Sequence, residues 1–133
     1  MVNGAAAALV ELDPVTIPAQ EKELGEATAA AVAVLCAAVQ SYAHAGELTR
    51  EIKSMGSERI ARVARLQLDH EGGDQDFIAM ARRAGMQVLR QRLNGAFDPA
   101  QCDATLDFYL DNLFDIVSRV VRDERAFRAA AAH

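Results

Sequence analysis

Apolar residues recur along this chain at spacings of three and four, the signature of helices with one buried face. The first such stretch is expected from about residue 18 to 45. It opens near Pro18, a favoured first-turn residue, with Glu21 and Glu23 suited to the positive end of the helix dipole, and stops at Gly46. Leu24, Thr28, Ala31, Leu35, Ala38 and Tyr42 form its seam, made mostly of small side chains, so another helix can approach it closely. A second helix, about 47–70, gathers Leu48, Ile52, Met55, Ile60, Val63 and Leu66 on one side. Gly56 interrupts it: glycine inside a helix costs about 1 kcal/mol relative to alanine, so either the helix restarts at Ser57 or the missing side chain admits a neighbour.

Glu71-Gly72-Gly73-Asp74 reads as a turn, with Asp74 capping a third helix of about 75–94 that ends at Asn94-Gly95. Its apolar face is Phe77, Ile78, Ala81, Ala84, Val88 and Leu89. Asp98-Pro99-Ala100-Gln101 then combines a cap, a first-turn proline and a glutamine three residues after the cap, a strong start for a fourth helix of about 99–128. There Cys102, Leu106, Tyr109, Leu113, Ile116 and Val120 alternate by four and three, with Phe127 one heptad further, a coiled-coil-like seam. Leu110, Phe114, Val117 and Val121 widen it to an arc of roughly 160°, more than the ~100° of an ordinary surface helix. The fold expected is all-α, an antiparallel bundle of about four helices over 16–133, preceded by a loose arm over 1–15.

At 133 residues there is room for one core and no second domain. Charge adds a plan. Residues 1–47 carry −5, 48–92 carry +3 and 98–128 carry −3, for a net −5. A basic middle between acidic flanks suits helices that pack on one another, and an acidic total is a weak case for nucleic acid. Within the fourth helix Asp103, Asp107, Asp111 and Asp115 precede Arg119, Arg122, Arg125 and Arg128, an order that favours the helix dipole and i,i+4 pairs such as Asp115 with Arg119.

The longest apolar run, 27–39, is Ala-rich and shorter than the ~20 residues a bilayer requires, so it is expected to be a buried helix. The N-terminus has no secretory layout. Cys36 and Cys102, without CxxC spacing, are expected to be reduced core residues of a cytoplasmic protein.

Motifs that carry chemistry are mostly absent from the sequence. Asp69-His70-Glu71-Gly72-Gly73-Asp74-Gln75-Asp76 gathers four carboxylates and an imidazole but does not follow the calcium-loop template. His44, His70 and His133 lack the pairings used by metal sites in bundles. Neither a Gly-rich phosphate loop nor a nucleophile elbow is visible. No catalytic residue, metal or cofactor is therefore expected, and the chain reads as a non-enzyme.

Three functional expectations remain. The broad ridge of the fourth helix, with Leu106, Tyr109, Leu113, Phe114, Val117 and Val120, exceeds what one molecule would cover and predicts a homodimer, with Phe108, turned nearly opposite, as an anchor for another protein. Arg59 and Arg92 fall within the apolar arcs of their helices, where a guanidinium needs a partner. Either they pair with carboxylates of the first or fourth helix, or they line a cavity for a small anionic ligand. Finally, residues 80–95, with Ala81-Arg82-Arg83-Ala84-Gly85 and Leu93-Asn94-Gly95, resemble the helix-turn-helix of phage and bacterial repressors. The resemblance implies a DNA-binding regulator with Gln87, Arg90 and Gln91 in the major groove. Yet Gly85 to Asn94 is about two residues shorter than the family's spacing, leaving no room for the turn.

Overall fold

The computed structural model describes residues 19–92 and 99–132. The expected 1–15 arm, the Pro18 start, the Asn94-Gly95 stop, the Asp98 cap and the Cys102 side chain lie outside the described residues. Four helices account for the rest: α1 (Ala19–Ala45), α2 (Arg50–Asp69), α3 (Asp74–Arg92) and α4 (Pro99–Ala131). There is no strand among the described residues, and the all-α bundle stands.

Local chemistry explains the boundaries. Gly46 adopts φ 73°, a left-handed conformation that glycine reaches without steric cost, and its N–H returns to the carbonyl of Tyr42 at 2.8 Å. Thr49 caps α2, its hydroxyl accepting from the Ile52 N–H at 3.2 Å. Asp74 is not the cap of α3. It is the first helical residue, the Phe77 N–H bonds the Gly73 carbonyl, and the Asp74 carboxylate is engaged elsewhere. α2 does not break at Gly56; a Cβ there would stand 3.4 Å from Val34 Cγ1, so the glycine marks a close approach of α1.

Ion pairs set the directions. Glu23 with Arg62, and the Ala30 carbonyl with Arg59, run in opposite order along α1 and α2, so these helices are antiparallel. Arg82 with Asp107 and Asp111, and Arg90 with Asp103, make α3 and α4 antiparallel. Glu21 with Arg83, and Glu26 with Arg92, rise together, so α1 and α3 run the same way. The bundle is up-down-up-down.

α1 is its hub. It packs most extensively on α3, then on α2, and also meets α4, whereas α2 and α3 barely touch each other. Accordingly Leu24, Ala27, Thr28, Ala29, Ala31, Val32 and Val34 are all buried, a wider belt than the single seam its sequence suggests. Small side chains make this possible. At the crossing with α3, a Cβ on Gly25 would lie 2.8 Å from the Ala84 carbonyl oxygen and one on Gly85 2.7 Å from Thr28 Cγ2, so Gly25 is required by close backbone approach and Gly85 by the Thr28 side chain.

α4 packs more on α2 than on α1, and buries Leu106, Leu110, Leu113, Phe114, Val117 and Val121. With 33 residues it is about 50 Å long, against about 29 Å for the 19 residues of α3. Because Arg125 reaches Asp74, the first residue of α3, the turns from Ala126 to Ala131 run on past that helix.

Candidate functional site

The heptad seam of α4 does not stay in one environment. At successive seven-residue steps Leu106 is 4% exposed, Leu113 0%, Val120 37% and Phe127 68%. A straight α-helix drifts about 20° per heptad, so over three heptads the seam turns about 60° out of the core. The buried stripe instead follows the 3.6-residue period through Leu110, Val117 and Val121. Leu106, Leu113, Phe114 and Val117, four of the six residues expected in an intermolecular ridge, are thus enclosed within the subunit, and only the distal part of that ridge reaches water.

Tyr109, half-buried on the same seam, turns toward α1, where it lies beside Cys36. Burial pushes the thiol of Cys36 up, offset only in part by the neighbouring Tyr109 hydroxyl, and burial likewise raises Tyr109. The free thiol therefore stays protonated at neutral pH, the reverse of an activated nucleophile. Nothing in the spacing of these two residues along the chain signals the partnership. Phe108 is exposed, as its position opposite the seam implies, with its ring edge-on to Tyr109 at 5.5 Å between centroids.

Arg59 and Arg92, singled out separately in the sequence, meet in one groove. Because α2 and α3 stand apart, the outer face of α1 is left open as a trough of about 660 Å³. Its floor is Ala27 and Ala30; Arg59, Arg62 and Glu58 of α2 line one side, Arg92 of α3 the other, and Lys22, Glu23 and Glu26 belong to α1. The expected pairing with carboxylates of the first helix holds for Arg92, which bonds Glu26. It does not hold for Arg59, whose Nη1 donates to the Ala30 carbonyl at 3.4 Å. Arg62, which sequence reasoning passed over, pairs with Glu23 at 2.9 Å; its position one turn after Arg59 was the signal available.

The acidic turn between α2 and α3 closes on itself. His70 Nε2 lies 3.0 Å from Asp76 Oδ2, and the imidazole stacks edge-on against Phe77. Among the described residues no group of three or more His, Cys, Asp or Glu side chains is placed to hold a metal ion. Asp74 accepts both guanidinium N–H groups of Arg125, at 2.8 and 2.9 Å, and these bonds, with one from Gln67, hold its carboxyl at about 2, well below the ordinary range.

The helix-turn-helix resemblance loses its geometry. Residues 80–92 lie in one uninterrupted helix, and Arg90 is held by Asp103 through two bonds at 2.8 and 3.1 Å. The charge order of α4 serves neighbours more than itself: its first-half acids bind α3, and among the described residues Asp115 and Arg119 do not pair.

By length and composition alone, the stretch Gln20–Ala45 could cross a membrane, a test that the core helix of a soluble protein also passes; 44% of its most apolar window is buried here. No family model, curated protein or solved structure matches the chain.

Proposed function

We propose that the chain is a non-catalytic, cytoplasmic helical-bundle protein of regulatory or scaffolding kind that associates with a second copy of itself through the distal half of α4. The observation that carries this reading is the exposure of Val120 and Phe127, one heptad apart, on a helix that continues past α3. A large apolar side chain in water is ordinary when single; two on one seam favour a helical partner with the same spacing.

The second copy is the partner favoured by the seam itself. In an antiparallel pair related by a two-fold axis, Val120 of one copy meets Phe127 of the other, so the exposed strip is self-complementary. Phe108 faces elsewhere and is not needed for it.

Sedimentation velocity over a concentration series tests the reading. A dimer is expected for the wild type at tens of micromolar, with Val120→Asp/Phe127→Asp monomeric and equally helical, and Phe108→Asp still dimeric. A wild-type monomer at the highest concentration would sink the reading.

A further inference from the structure

The trough on the outer face of α1 has no role in self-association through α4, and it brings four basic side chains together. We propose that it binds a small phosphate-bearing ligand, held between the guanidinium groups of Arg59 and Arg92.

Four cations, Lys22, Arg59, Arg62 and Arg92, face three carboxylates, Glu23, Glu26 and Glu58, in the same groove. Arg62 and Arg92 are each engaged by one carboxylate, through Glu23 and Glu26. Arg59 is different. A guanidinium has five N–H donors, and its one bond here, 3.4 Å to the Ala30 carbonyl, is long for an N–H···O contact. The side chain is half-buried and lines the trough, so its remaining donors are open to a ligand there. Lys22 has no ion pair among the described residues.

The chemical class follows from the competition. A ligand carboxylate brings the same single charge as Glu23 and Glu26 and would not displace them. A phosphate monoester carries nearly two charges at neutral pH and three acceptor oxygens, enough to span two guanidinium forks and draw Arg92 from Glu26. Ala27 and Ala30 leave space at the floor for the tetrahedral group. The local excess of one positive charge keeps the affinity modest, on the order of millimolar.

The test is titration of the full chain with inorganic phosphate, at ionic strength held constant with chloride, followed by NMR at the backbone amides of Ala27 and Ala30 and at the Nε–Hε groups of Arg59 and Arg92. Saturable shifts confined to this groove are expected, at least tenfold weaker in Arg59→Met and unchanged in Arg119→Met. Should Arg59→Met fail to fold, Arg92→Met, whose side chain is half exposed, carries the same comparison. Shifts that rise linearly without saturation, that chloride reproduces, or that persist in the variant would overturn the proposal.

Discussion

Three glycines inside helices behave in opposite ways because of what stands opposite their missing side chains. At Gly25 the obstacle is the carbonyl oxygen of Ala84, a backbone atom, only 2.8 Å from where a Cβ would sit, and α3 would have to shift as a body. At Gly56 the nearest atom is a terminal methyl of Val34 at 3.4 Å. Alanine gains about 1 kcal/mol of helix propensity at either site, whereas overpacking costs roughly 1–3 kcal/mol. Gly25→Ala should therefore destabilise by up to about 2 kcal/mol and Gly56→Ala should stabilise by about 0.5–1 kcal/mol, read as opposite displacements of the urea midpoint. Gly85 resembles Gly25, though its obstacle is the Thr28 side chain. The sequence exposed the alternatives at Gly56 but not the choice, because the choice depends on where Val34 of a different helix comes to rest. Gly46 was legible outright, since a glycine after a periodic run needs only its own backbone to end a helix.

At the scale of the element, α3 and α4 touch each other little yet are tied by long side chains: Asp74 with Arg125, Arg82 with Asp107 and Asp111, Arg90 with Asp103. Each helix is acidic early and basic late, and an antiparallel arrangement converts two favourable helix dipoles into a complementary seam. The sequence showed the sign order; it did not show that the acids of α4 would reach α3 instead of their own next turn, because that requires knowing which flank of α4 faces outward. The same gap explains the apolar ridge: its residues do lie on a helix, but shared heptad membership does not amount to a shared environment. Asp74 gives this seam a pH dependence. Its carboxyl is depressed to about 2 in the folded chain, so its contribution is present above the unfolded carboxylate range near 4 and is lost as pH falls from about 4 through about 2. The side chains of Arg125 and Asp74 are 49% and 43% exposed, and solvent screening holds their pair to roughly 0.5–1 kcal/mol. Asp74→Asn should lower stability by that amount at pH 7 and by nothing measurable at pH 2, in urea titrations at the two values. An equal deficit at both would show that the residue acts through packing or hydrogen bonding that ionisation does not alter.

Taken whole, the molecule couples a hub of small side chains to a shell of ion pairs that bind different helices together. Glu21 to Arg83, Glu23 to Arg62, Glu26 to Arg92, and the three ties between α3 and α4 are all interhelical, and five of the nine basic residues of the middle segment bind carboxylates of its acidic flanks. Two electrostatic effects then oppose each other: these pairs attract at hydrogen-bond range, while the net charge of −5 repels diffusely over the whole surface. At 1 M salt the screening length is about 3 Å, which removes the diffuse repulsion almost entirely and weakens the exposed pairs. The pairs outweigh the repulsion because they are close, and because Glu21, bound to Arg83 at 2.6 Å, is only 14% exposed and lies where screening ions reach it poorly. The urea midpoint should consequently fall as sodium chloride is raised from ~20 mM to ~1 M, by an amount equivalent to roughly 1–3 kcal/mol, with each exposed pair contributing up to about 1 kcal/mol. Arg83→Met should retain most of that salt dependence, since five of the six ties remain. A midpoint that rises with salt in the wild type would mean that the diffuse repulsion governs, and that the bundle is held by the crossing at Gly25 and Gly85 and the apolar stripe of α4 with no net help from its charges.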